Sequence, residues 1–285
     1  MKLGNYNGAM PIAYSTVACP DWTLRKVADT ARELGYEGVE LRSFDSHSPD
    51  FACDPSMTAG EKVRTMFADA GALPVGVATS VHFDAPIFPP VIGQAISDNE
   101  VAIRAAKRAI DTAREIGARY VRVFGYKLGD KEKLGSGVER IVGRLKLAVA
   151  GARNTGVYLV LENGGTFATG ESIAEIIDLV GSPLLRAAYS PAAAMHVGED
   201  PFEGIAALGD RLAVLKLKDH REGTPCPIGE GEVPCEELVR RIGGGVWGVV
   251  EWDRAWLPEL DEPGPVLEDA IRKIGEWSAE FAASH

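Results

Sequence analysis

Four charged residues close short apolar runs in the second half of the chain: Glu162 in Val160-Leu-Glu162-Asn163, Lys216 and Lys218 in Val214-Leu-Lys216-Leu-Lys218-Asp219-His220, and Glu251 in Val249-Val-Glu251-Trp-Asp253. Extended chain alternates its side chains between two faces. Val160 therefore shares a face with Glu162, Val214 with Lys216 and Lys218, and Val249 with Glu251. A charge set among branched apolar residues needs a partner, so Glu162, Lys216 and Glu251 are expected to converge. Two carboxylates around a small carbonyl compound can take a proton from the neighbouring carbon and return one, while an ammonium stabilises the enolate oxygen. The same trio also reads as a structural ion pair in an inert site. A third reading makes Lys216 a Schiff-base amine, suited to aldolase-like or dehydratase chemistry.

Further candidates surround this trio. Arg122, between Val121 and Val123, is expected to point the same way and to bind a carboxylate or phosphate, or to neutralise the glutamates. Ser190 lacks a GxSxG setting and reads as a small substrate-facing residue that makes room for Lys216. His82, beside Phe83-Asp84, reads equally as a substrate contact and as a surface loop residue, and His47 as loop surface. Lys218, Asp219 and His220 are expected to reach the substrate, with capping and ion pairing as the alternative for His220. Trp252 and Trp256 offer a sugar-stacking platform or apolar packing.

The elements that must position these residues follow from the hydrophobic period. Strand-like runs fall at Pro11–Val17, Gly38–Leu41, Leu73–Val81, Tyr120–Phe124, Val157–Leu161, Leu185–Ser190, Leu212–Leu217 and Gly248–Glu251. Helical stripes follow at Trp22–Leu34 (with Asp21 as N-cap), Gly60–Ala70, Asn99–Ile116, Val138–Arg153, Ser172–Val180, Pro201–Leu208, Glu236–Ile242 and Pro265–Ala282. Eight β-then-α units of about 36 residues predict an α/β protein, a single (β/α)8 TIM barrel spanning residues 1–285. A doubly wound sheet would want a glycine-rich turn after the first strand, and neither GxGxxG nor GxxxxGK[ST] occurs. Barrel chemistry sits at the carboxyl ends of the strands, where the charged residues stand. The long loops Ser43–Thr58 and His82–Asp98, the latter with Pro86, Pro89 and Pro90, are candidate lids or homo-oligomer contacts.

Composition removes several classes. The 285 residues carry 30 Lys and Arg against 41 Asp and Glu, a formal charge of −11, which repels nucleic acid. No run approaches the length of a membrane span, and MKLGNYNGAM has no signal-peptide core. Cys19, Cys53, Cys226 and Cys235 form no CxxC pair, which predicts reduced thiols and a cytoplasmic protein.

Several of these segments, taken in order, resemble the xylose isomerase-like TIM barrels of sugar-phosphate isomerase and epimerase type. They are Gly35-Tyr-Glu-Gly-Val-Glu-Leu41, Leu161-Glu-Asn163, Gly198-Glu-Asp-Pro201, Lys218-Asp219 and Glu251. The resemblance covers essentially the whole chain. It implies a keto-sugar or polyol substrate and a divalent ion, Mn²⁺ or Mg²⁺, held by Glu, Asp, His and Glu at the ends of strands five to eight. Glu162 and Glu251 match the outer two ligands. The family's Asp-Pro is Ser190-Pro191 here, its His-x-Lys-Asp is Lys216-Leu-Lys218-Asp219, and Gly164 stands where a histidine often follows Glu-Asn. An ammonium has no lone pair to give a metal, and a hydroxyl replaces a carboxylate poorly. The expectation is therefore no cofactor, with Lys216 in the metal's place and a divalent metal as the fallback. The DNA-repair relatives of endonuclease IV type need a histidine-rich zinc cluster and a basic face, which five histidines without ligand spacing do not provide. Two functions remain: an isomerase or epimerase working by carboxylate-mediated proton transfer, or a non-catalytic sugar-binding or partner-subunit pseudoenzyme.

Overall fold

The computed structural model describes residues 9–44, 49–85, 100–129 and 132–284. His47 and the proline-bearing stretch 86–99 lie outside the described residues. Ten strands occur among the described residues: β1 (Ile12–Ser15), β2 (Gly38–Arg42), β3 (Leu73–His82), β4 (Tyr120–Phe124), β5 (Tyr158–Glu162), β6 (Leu185–Tyr189), β7 (Leu212–Leu217), β8 (Asp219–Arg221), β9 (Thr224–Cys226) and β10 (Trp247–Val250). Eight of them close into a parallel barrel in the order β1-β10-β7-β6-β5-β4-β3-β2, while β8 and β9 form a separate antiparallel hairpin. The chain is a single (β/α)8 TIM barrel.

Helices α1 (Leu24–Leu34), α2 (Gly60–Ala70), α3 (Val101–Ile116), α4 (Leu134–Gly151), α5 (Gly170–Val180), α6 (Pro191–His196), α7 (Pro201–Leu208), α8 (Cys235–Arg241) and α9 (Pro263–Ser284) cover the outside. Two apolar cores result. One lies between strands and helices and the other fills the barrel, where Ala13, Val75, Tyr120, Val160, Ala188, Val214 and Val249 pack together. Val160, Val214 and Val249 are the residues that alternation assigned to the faces of Glu162, Lys216 and Glu251.

Local chemistry moves some boundaries. Thr23, not Asp21, caps α1: its Oγ1 accepts from the Lys26 amide at 3.2 Å. Helix α4 begins four residues before Val138, and Gly137 in its first turns fits under Leu128, where a Cβ would lie 2.6 Å from a leucine methyl. Gly76 likewise admits the ring of Tyr120, since a Cβ there would lie 2.1 Å from it. The short helix α6 was not anticipated; Ser190 caps it and Pro191 occupies its first turn. No helix among the described residues is long and apolar enough to cross a membrane.

Candidate functional site

Inward residues near the carboxyl ends of the barrel strands form an ion-pair cluster centred on Lys216, which is fully buried. Its Nζ lies 2.5 Å from Glu40 Oε2, 3.0 Å from Glu251 Oε1 and 3.8 Å from Glu162 Oε2. Glu40 comes from β2 across the barrel, and its other oxygen accepts from the Tyr120 hydroxyl at 2.9 Å. Glu162 Oε2 also accepts from Arg122 Nη1 at 3.1 Å, and the Arg122 guanidinium stacks on the Phe124 ring at 4.6 Å. Glu251 Oε2 lies 3.5 Å from Lys218 Nζ, which is also 3.5 Å from Asp253 Oδ2.

Sequence reasoning placed Glu162, Lys216 and Glu251 together, and the structure brings them together. It missed Glu40, which holds the shortest of the three contacts to Lys216. The signal was available: Val39 and Leu41 flank Glu40 as apolar neighbours flank Lys216, so the same alternation turns Glu40 inward. The charge pattern is also wider than expected. Four carboxylates (Glu40, Glu162, Glu251, Asp253) face three cations (Arg122, Lys216, Lys218).

These pairings fix protonation. Burial alone would lower the basicity of Lys216, but Glu251, Glu40 and Glu162 outweigh it and hold the ammonium above its ordinary range. Burial and the carboxylates of Glu251 and Asp253 act in the same opposed way on Lys218, which is also raised. Glu251 shows the converse: burial pushes its carboxyl up, yet Lys216, Lys218 and Arg122 hold it well below the usual carboxylate range. Lys216 is shut away from solvent and does not line the cavity, so its amine is not placed to meet a carbonyl compound there as a Schiff-base nucleophile.

Above the cluster opens a cavity of about 400 Å³, within the range of small-ligand sites. Glu162, Glu251, Arg122, Lys218 and His82 line it, together with Arg42, Ser80 and Asp253, and Phe124, Tyr126 and Trp256 supply aromatic walls. Lys216 lies beneath and is not part of the lining. Trp256 is exposed at the mouth, where it meets Phe44 at 5.8 Å between ring centres. Trp252 is instead buried, with its indole N–H donating to the Asp261 carbonyl at 2.9 Å.

Three expected substrate contacts stand elsewhere. Ser190 is buried; its hydroxyl caps α6 by accepting from the Ala193 amide at 3.4 Å, and its own amide donates to Asn163 Oδ1 at 2.7 Å. Asp219 is a loop organiser, accepting amides from His220 (2.9 Å), Gly229 (3.0 Å), Gly231 (2.8 Å) and Val233 (2.9 Å). His220, on the hairpin, faces Glu232 at 3.7 Å. None of the three lines the cavity. The side chains of Ser190 and Asp219 serve backbone amides instead, and that of His220 faces a carboxylate outside the cavity.

The donor set does not fit a divalent ion. The two glutamates matching family ligands are occupied by ammonium and guanidinium groups, and the other two positions are Ser190, engaged as a cap, and Lys216, without a lone pair. Among the described residues no group of three or more His, Cys, Asp or Glu side chains is arranged to hold a metal.

The sequence profile of the xylose isomerase-like TIM barrel family matches residues 28–275, and the chain belongs to that family. Solved structures show the same fold at low identity. L-ribulose 3-epimerase superposes with a TM-score of 0.78 at 15% identity, covering 96% of each chain. A probable 3-DHS dehydratase, AsbF, from Bacillus anthracis gives 0.75 at 16% identity over 93% of this chain and 99% of its own. D-psicose 3-epimerase gives 0.72 at 12% identity over 94% and 98%. A search of curated proteins found no match.

Proposed function

We propose that this protein is a sugar isomerase or epimerase that acts on a small keto-sugar or polyol by carboxylate-mediated proton transfer, without a metal. The observation that carries the reading is the position of the Lys216 ammonium among Glu40, Glu162 and Glu251, on the inward ends of the barrel strands. A fixed positive charge there supplies the electrostatic role that a divalent ion fills in family relatives. The epimerases among the structural neighbours support the substrate class.

In this reading Glu162 is the base. Its Oε2 is engaged by Arg122 and Lys216, whereas Oε1 carries no hydrogen bond among the described residues. Both oxygens of Glu251 face ammonium groups, so Glu251 stays an anion and holds Lys218 at the cavity wall. Lys218 and Arg122, which line the cavity, stabilise the oxyanion formed as the proton leaves carbon. Lys216 acts from below on the charge of the carboxylates.

The test is solvent exchange. The protein is incubated in D2O with a panel of ketopentoses and ketohexoses, and deuterium at carbon is read by NMR. An enzyme of this kind labels at least one sugar beside its carbonyl, and Glu162→Gln abolishes the label. Binding without labelling would instead favour the sugar-binding pseudoenzyme, a reading supported by the ion pairing of both cavity glutamates.

A further inference from the structure

The proton-transfer reading leaves one requirement open. Moving a carbonyl between adjacent carbons relocates two protons, one on carbon and one on oxygen. Glu162 can carry the first. Glu251, with Lys216 at 3.0 Å and Lys218 at 3.5 Å, is poorly placed to carry the second, since a proton on it would face two ammonium groups.

At the cavity wall stands a second acid–base device that the glutamate cluster does not use. His82 ends β3, and its Nδ1 is hydrogen-bonded to Asp84 Oδ1. Nε2 carries no hydrogen bond among the described residues, and the side chain is 49% exposed at the cavity. A carboxylate at Nδ1 selects the tautomer with its hydrogen there, and in that form Nε2 faces the cavity with its lone pair free.

The dyad is braced on several sides. Asp84 Oδ2 accepts the Lys127 amide at 3.2 Å, and the Asp84 carbonyl accepts Arg140 Nη2 at 2.8 Å. Arg144 Nη1 donates to the carbonyls of Phe83 at 2.7 Å and Ala85 at 2.6 Å. Tyr126, just before Lys127, holds a left-handed backbone (φ 71°). That turn sets its ring 5.7 Å from the imidazole. Two arginines and an amide thus hold Asp84 and the backbone on either side of it, the segment that follows His82.

Register places the dyad relative to the base. His82 pairs with Phe124, and Phe124 with Glu162. The two residues therefore sit in one row two strands apart, about 10 Å between backbones, which leaves space for a small substrate.

We propose that His82 is a catalytic residue of this site that carries the hydroxyl proton of the substrate between adjacent oxygens, with Asp84 as the positioning residue that fixes the ring's tautomer. The inference rests on the proton-transfer reading above and deepens it. Glu162 takes the proton from the hydroxyl-bearing carbon, the C–H pair forms a C=C bond, and the carbonyl π pair moves to its oxygen. His82 Nε2 accepts the proton of the neighbouring hydroxyl and delivers it to that oxygen. The hydroxyl oxygen then re-forms a carbonyl, and the C=C pair recovers the proton from Glu162 at the other carbon. Protons and electrons balance with no co-reactant, and the chemistry assigned is aldose–ketose isomerisation.

The experiment uses the full chain with the ketopentose and ketohexose panel in D2O, comparing the wild type with His82→Gln, Asp84→Asn and Glu162→Gln. Thermal melts check that each variant is folded. His82→Gln is expected to lose about 100-fold or more in aldose–ketose turnover. Asp84→Asn is expected to slow turnover and, in long-range ¹H–¹⁵N spectra, to release the His82 ring from its Nδ1–H tautomer. Labelling by the wild type with undiminished turnover in His82→Gln overturns the role of His82 and leaves the proton-transfer reading standing. Absence of labelling by the wild type overturns that reading and the role of His82 with it. A wild-type neutral His82 carrying its proton on Nε2 overturns the dyad whatever the substrate.

Discussion

Lys216 Nζ and Glu40 Oε2 lie 2.5 Å apart across the barrel interior, joining β7 to β2, and both residues are fully buried. Removing one partner of such a pair strands an uncompensated charge at a cost of about 3–5 kcal/mol, whereas removing both relieves most of it. Lys216→Met is therefore expected to destabilise strongly in urea denaturation, and Lys216→Met with Glu40→Gln to recover part of the loss. A double mutant no more stable than Lys216→Met alone would show that Glu251 and Glu162, not Glu40, govern the lysine.

The same pairings set a pH window for stability. Glu251 has a depressed folded-state pKa, so its contribution is present above the unfolded carboxylate value of about 4.3 and is lost as pH falls below it. Lys216 has a raised folded-state pKa, so its contribution is fully present below the unfolded value of about 10.4 and is lost as pH climbs through the folded one. Melting temperature is expected to fall below about pH 4 and to hold up to about pH 10. Glu251→Gln should flatten the acid limb relative to wild type; an acid limb of unchanged steepness would assign it to other carboxylates.

The cavity carboxylates are expected to differ in kinetic consequence. Glu162→Gln removes the base and should reduce deuterium labelling by about 100-fold or more. Glu251→Gln leaves the base in place but releases Lys218, so it should weaken sugar binding as well as slow labelling. Equal loss from both variants, with binding unaffected, would restore a shared proton-carrying role to Glu251.

Much of this was legible in the residues. The period of two on β5, β7 and β10 puts Val160, Val214 and Val249 in the barrel interior, and Glu162, Lys216 and Glu251 follow. Glu40 obeys the same rule from β2 but lies 176 residues from Lys216, a separation that carries no local sign of partnership. Ser190-Pro191 bears the mark of a helix start, a hydroxyl before a proline, and reads better as a cap than as a substrate contact. Asp219 stands outside the cavity for a different reason. Its amide partners at Gly229, Gly231 and Val233 come from a returning loop that only the folded chain brings back.

The central claim is that the Lys216 ammonium stands where family relatives place a divalent ion. Its most direct test is elemental mass spectrometry on tag-free protein, incubated in turn with Mn²⁺, Mg²⁺, Zn²⁺ and Co²⁺ and then desalted. Only trace metal is expected in the wild type under every condition. Stoichiometric retention of any one ion would contradict it and return the protein to metal-dependent chemistry.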